Sequence, residues 1–156
     1  MKYREFGSTG IQVSEIGLGA WQLGGAYSLG GKQIGWGDID DSTALKVLDA
    51  AVDAGITFID TADAYGGGKS EELVGKAYSG KRDKVIISTK YGNRSDEQGN
   101  WVKDFSPEWT RKALEASLKR LKTDYVDFLH LHSPRGPFTV PEETVDMLEM
   151  LVKEGK

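Results

Sequence analysis

The chain has 156 residues, 38% hydrophobic and 28% charged, with 20 basic and 24 acidic side chains and a formal net charge of −4. That size and balance suit one folded domain and leave no basic footprint for nucleic acid or an anionic membrane surface. Cysteine is absent, which excludes disulfides, thiolate nucleophiles and cysteine metal sites.

The start, Met1-Lys2-Tyr3-Arg4-Glu5, has no signal-peptide core, and no apolar run nears the roughly 18 residues of a membrane span. A cytoplasmic protein without membrane contact is expected. Residues 3–6 and 11–13 flank Gly7-Ser8-Thr9-Gly10 and predict a β-hairpin occupying residues 1–14. Residues 16–18 predict a short strand. A glycine-rich loop follows from Gly19 to about Asp40, containing Trp21 and Trp36. Loops this long in compact domains are usually functional or disordered.

The first helix is expected over 42–54, capped by Asp40 or Asp41, with Leu45, Leu48, Ala51 and Val52 on one stripe and Gly55 ending it. Residues 57–60 predict a second strand. Ser70 is expected to cap a second helix running to about Tyr78, with Glu71 and Glu72 at its positive end. Residues 85–90 are almost continuously apolar and β-branched, as in a parallel strand covered on both faces. Ser106-Pro107-Glu108 opens a third helix that buries Leu114, Leu118 and Leu121. Residues 125–131 predict a fourth strand. Pro141-Glu142-Glu143 opens a fourth helix, with Val145, Leu148, Leu151 and Val152 turned inward. Residues 15–156 thus form four strand–helix units, and this alternation predicts an α/β fold with a parallel sheet and right-handed crossovers.

Asp60, Tyr65, Lys90 and His132 each stand at or just past the end of an expected strand. Strand ends of this kind share one face, where barrel enzymes do their chemistry. Lys90 ending a buried strand needs a partner, and Asp60 on the next strand is a candidate; a salt bridge closing the sheet is the plainer use of the pair. A tyrosine with a lysine ammonium beside it is poised as a general acid, although Tyr65 could equally pack as a loop aromatic. His130 and His132 share a strand face. A metal there would need further ligands from carboxylates, so no metal is assigned, and His132 is expected to hydrogen-bond a substrate oxygen with His130 in the packing. Gly68-Lys69-Ser70 lacks the leading glycine of a P-loop, since position 63 is Asp63. Asn93-Arg94-Ser95 fits a glycosylation triplet without any sign of secretion.

These residues, in this order, resemble the aldo-keto reductase family. The resemblance is carried by residues 6–14 with 17–21, by the run from Gly55 through Asp60 to Gly66 with Ser70, Glu71, Glu72 and Gly75, by Ser88-Thr89-Lys90, and by residues 127–134 ending in Ser133-Pro134. It implies the N-terminal half of a (β/α)8 TIM barrel and NADPH-dependent reduction of an aldehyde or ketone. It implies Tyr65 as proton donor, Lys90 as its activator, Asp60 as the partner of Lys90, and His132 as the group orienting the carbonyl. Trp21 and Gln22 are implied cofactor contacts.

The same resemblance places most of the cofactor seat on strands this chain does not contain. The chain alone is therefore expected to be inactive and to bind NADPH weakly. Partners are expected to be a small carbonyl substrate and either a second copy or a C-terminal half, because both outer strands would be open edges above a broad apolar inner face. Two other readings stay open. One is a non-catalytic half barrel or regulatory module of the kind found in potassium-channel β-subunits. The other is a barrel metallohydrolase using His130 and His132.

Overall fold

A computed structural model of the chain describes residues 1–156. Strands β1 (Tyr3–Glu5) and β2 (Gln12–Ser14) form the expected antiparallel hairpin. Ser14 ties it to the body by accepting the backbone N–H groups of Thr57 and Phe58 at 3.0 and 3.2 Å. The next strand, β3 (Gly17–Gly19), starts one residue later than expected, and Ile16 is left exposed.

The long glycine-rich loop is more ordered than its composition suggests. It holds a turn of 3-10 helix at Gln22–Gly24 and a second hairpin, β4 (Tyr27–Leu29) with β5 (Lys32–Ile34). The two-residue turn between them is Gly30-Gly31, both at positive φ (57° and 70°), the conformation that tight hairpin turns demand. Gly30 also admits a neighbour: a Cβ there would lie 2.3 Å from the backbone nitrogen of Trp101.

Helix α1 (Asp41–Asp53) is capped by Asp40, whose carboxylate accepts the Thr43 N–H at 2.9 Å. Ala44, Leu48 and Ala51 form its buried stripe. Strand β6 (Phe58–Asp60) leads through a 3-10 turn at Tyr65–Gly68 into α2 (Lys69–Tyr78). Ser70 does not cap this helix. Gly68, at φ 102°, takes the cap position two residues earlier. Ser70 is instead fully buried, donating its hydroxyl to the Ala20 carbonyl at 2.7 Å and bonding Thr61 Oγ1 at 2.9 Å. Its neighbour Glu71 is fully buried as well, not displayed at a solvated helix end.

Strand β7 (Ile86–Tyr91) is followed by a third hairpin that the sequence reading did not foresee, β8 (Asn93–Ser95) and β9 (Trp101–Lys103). Helix α3 (Pro107–Leu121) opens as expected, with Ser106 accepting the Trp109 N–H and Pro107 in the first turn. After β10 (Phe128–Leu131), helix α4 (Glu142–Lys153) buries Thr144 and Leu151. Val145 and Val152 are exposed, against expectation, because α4 packs on α3 along one narrow line around Met147 and Leu151.

Four strands form one parallel sheet in the order β3-β6-β7-β10, which is their order in the chain. Alternation along each strand sends Ile59, Ile87 and Thr89 to the helical side. There Ile59 and Ile87 join Leu48, Leu73, Val74 and Leu121 in the main core. Phe58, Asp60, Ser88, Lys90, Phe128 and His130 take the opposite, inner face. That face is not the broad apolar surface expected. Phe6 from the first hairpin packs on Phe58 and Phe128, with ring centroids 5.7 and 4.4 Å away, and apart from Ile86 the side chains toward the strand ends are polar.

Candidate active site

The C-terminal ends of β6, β7 and β10 bring Asp60, Lys90 and His132 to one end of the sheet, and the loop after β6 returns Tyr65 above them. This loop is not free to wander. Its backbone continues to pair with β7, Thr61 N–H donating to Ser88 O at 2.8 Å and Asp63 N–H to Lys90 O at 3.0 Å. The turn at Tyr65–Gly68 then presses on the loop after β3: a Cβ on Gly66 would meet the Gly24 carbonyl oxygen at 2.2 Å. The glycine run therefore serves close packing, with Tyr27 over Gly67 and the Arg120 side chain over Gly68.

The Lys90 ammonium is the hub. It donates to Asp60 Oδ2 at 2.7 Å, to the Thr61 carbonyl at 2.8 Å and to the Tyr65 hydroxyl oxygen at 3.1 Å. Three acceptors match the three protons of an ammonium, so its direction is fixed. Trp21 stacks on the Tyr65 ring at 5.8 Å, and the His132 imidazole meets that ring edge-on at 5.6 Å.

His132 is held at the end of β10 by its N–H to Tyr91 O at 2.8 Å. Ser133 next to it adopts φ 50°, a left-handed conformation uncommon outside glycine, which swings the chain away after His132. Burial pushes the His132 imidazole down to about 4, with the Lys90 and Lys103 charges adding to the effect and Asp60 opposing it. The ring is thus neutral at physiological pH. Its Nδ1 is buried without a hydrogen-bond partner. His130, expected in the packing, lies exposed on the inner face beside Phe128, and burial of part of its ring followed by the Lys90 charge lowers its pKa. No cluster of three or more histidine and carboxylate side chains is arranged to hold a metal.

Tyr65 and His132 border a cavity of about 590 Å³, within the range of small-molecule sites. Trp21 lines it; Gln22 does not. Its walls come from the two hairpins that were missed: Leu29 and Ile34 on β4 and β5, Asn93, Trp101 and Lys103 on β8 and β9, with Ser133 and Arg135 after β10. The Gly30-Gly31 pair is a recognisable hairpin signal and could have revealed the first of these walls. The residues present suit one end of a nicotinamide dinucleotide, an aromatic wall at Trp21 beside the Tyr65 hydroxyl. They form no open cradle of glycine amides for its phosphates.

The sequence profile of the Aldo/keto reductase family matches residues 15–156. The aldo-keto reductase YhdN of Bacillus subtilis is 42% identical over 159 residues, which take in 100% of this chain and 45% of that protein. The NADH-specific methylglyoxal reductase of Escherichia coli is 36% identical over 100% of this chain and 50% of its own length. The holo form of aldo-keto reductase AKR11C1 from Bacillus halodurans superposes with a TM-score of 0.82 at 37% identity, covering 99% of this chain and 47% of that one. The chain spans about half the length of the curated relatives it matches. Its parallel sheet and four helices correspond to half of their (β/α)8 barrel, and the chain belongs to the aldo/keto reductase family.

Proposed function

We propose that this chain carries the proton-donating half of a carbonyl reductase that uses NADPH. The observation that supports this reading is the continuous chain of contacts from Asp60 through Lys90 to the Tyr65 hydroxyl, beside a neutral His132 and facing a cavity. A substrate carbonyl oxygen would accept hydrogen bonds from Tyr65 and His132. Trp21, at the cavity wall, and Gln22, just outside it, are the residues of this chain that would touch the dinucleotide. When bound, NADPH supplies the hydride that reduces the carbonyl carbon. Tyr65 gives its phenolic proton to the carbonyl oxygen, and the Lys90 ammonium stabilises the phenolate that remains. Asp60 holds that ammonium in place through its 2.7 Å contact. The imidazole, being neutral, donates one N–H and brings no competing charge.

Tyr65→Phe tests the assignment because it removes the transferable proton and little else. In a complete barrel carrying this chain, reduction of a generic aldehyde should fall about 10²–10⁴-fold. NADPH affinity should hold. Turnover at the unmodified rate would remove Tyr65 from the role. Assay with NADH in parallel tests the coenzyme, since the E. coli relative is by its name NADH-specific. Tryptophan quenching of the 156-residue chain by NADPH should report weak binding, as expected where no phosphate cradle adjoins the cavity.

A second reading is favoured by the sheet itself. β3 and β10 are its outer strands, and each has one edge without a strand partner. Open edges of this kind invite pairing. A half-barrel module that docks on a second half, or on a second copy of itself, would cover both. Light scattering of the 156-residue chain at micromolar concentration should then show a dimer or larger species, and a stable monomer would count against it.

A further inference from the structure

Two cations face the cavity without a carboxylate to answer them. Lys103, on β9, donates to the His132 carbonyl at 2.5 Å and makes no ion pair; Arg135, four residues past β10, makes neither a hydrogen bond nor an ion pair. They lie near enough for the Arg135 charge to add to the burial that already lowers the Lys103 pKa. The carboxylate that acts on Lys103 is Asp63, outside ion-pair distance, and burial together with Glu71 holds Asp63 partly protonated near neutrality. Asn93 stands between the same walls, 8% exposed. Its Oδ1 accepts the Trp101 indole N–H at 2.9 Å, which orients the amide and leaves its NH₂ group without a partner in the chain.

Lys103 is half-buried and Arg135 is exposed, and an anion bound between them would relieve the repulsion that Arg135 exerts on Lys103. The cavity provides the space, and Tyr65 and His132 line it as well, with the His132 carbonyl accepting from Lys103. We propose that Lys103, Arg135 and the Asn93 amide form an anion site for the far end of the substrate, so that the preferred substrates are aldehydes or ketones carrying a carboxylate. This inference rests on the carbonyl-reductase reading of Tyr65 and His132, and it names the substrate class of that same cavity. Trp21 and Trp101 supply flat apolar walls for the spacer between carbonyl and carboxylate.

The probes are 4-carboxybenzaldehyde and its neutral counterpart, methyl 4-formylbenzoate. In a complete barrel carrying this chain, kcat/KM should favour the acid by about 10- to 100-fold, the range expected for charge-assisted hydrogen bonds. Arg135→Gln and Lys103→Gln should each shrink that ratio about tenfold, chiefly through KM. Arg135→Glu should turn the preference toward 4-(trimethylammonio)benzaldehyde. Equal kcat/KM for acid and ester would overturn the anion site and leave the reductase reading intact. A change in the KM for NADPH, with the acid-to-ester ratio preserved, would assign the two cations to the dinucleotide phosphates and overturn it as well. If neither aldehyde is turned over, the reductase reading fails. The site is then judged by Trp quenching in the 156-residue chain: tighter binding of the carboxylate, lost in Arg135→Gln, upholds it, and equal binding of the two probes sinks it.

Discussion

Arg120 reaches from α3 across to α2 and donates its Nε–H to Oε2 of Glu71 at 2.7 Å, beneath the loop that carries Tyr65. The other carboxylate oxygen of Glu71 accepts the Thr89 hydroxyl at 2.6 Å, one residue before Lys90. Glu71 is fully buried, and the Arg120 side chain is 23% exposed. One buried carboxylate therefore ties α2 to β7 and to α3 directly behind the site.

Arg120→Ala is expected to destabilise the chain by about 3 kcal/mol, because it strands the Glu71 charge without compensation. Replacing both residues by methionine should recover most of that loss, since the buried charge then disappears together with its partner. Urea denaturation of the three proteins measures both values. An Arg120→Ala midpoint equal to that of the unmodified chain would mean the pair contributes nothing.

This pair also shows where sequence reading stopped. Glu71 follows Ser70 at a helix start, so local rules place it in solvent at the positive end of the dipole. Its partner lies 49 residues further along, and no local pattern announces it. Asp60, Lys90 and His132 were legible for the opposite reason. Each ends an apolar strand, and parallel strands bring their ends to one face whatever the helices between them contain. Tyr65 was legible from its glycine-rich loop, although the loop's purpose was not: those glycines fit Gly24, Tyr27 and Arg120. The cavity walls on β4, β5, β8 and β9 were lost because three-residue strands carry too little alternation to stand out from the loops around them.

His132 is expected to titrate near pH 4, against an ordinary histidine value of about 6.5. Between those values the unfolded chain binds more protons than the native one. The neutral buried ring is therefore fully accommodated above about pH 6.5, and stability falls as the pH drops toward 4. With discount for its partial exposure, the loss is about 1–2 kcal/mol. NMR titration of the two imidazoles checks the midpoint. His132→Gln should flatten the stability profile over this interval, and an unchanged profile would show that His132 titrates like a solvated ring.

Asp63 works in the opposite direction. Burial, reinforced by the Glu71 charge on α2, raises its carboxyl to about 7 against the pull of Arg120 on α3. Tyr27 on β4 and Lys103 on β9 also feel its charge. Its Oδ1 is buried with no hydrogen-bond partner. Between about pH 4 and 7 the native chain holds this proton when the unfolded chain has released it, so the group costs stability as pH rises through that window. Asp63→Asn keeps the shape and removes the charge. The advantage of the variant over the unmodified chain should be about 1–2 kcal/mol larger at pH 8 than at pH 5, because the cost builds from about pH 4 until the native carboxyl ionises near pH 7. Because the Asp63 N–H is bonded to the Lys90 carbonyl, relief of this charge should also steady the turn that leads to Tyr65. Denaturant midpoints at the two pH values decide the matter: an equal difference at pH 5 and pH 8 would show that Asp63 is ionised throughout and that its burial carries no electrostatic cost.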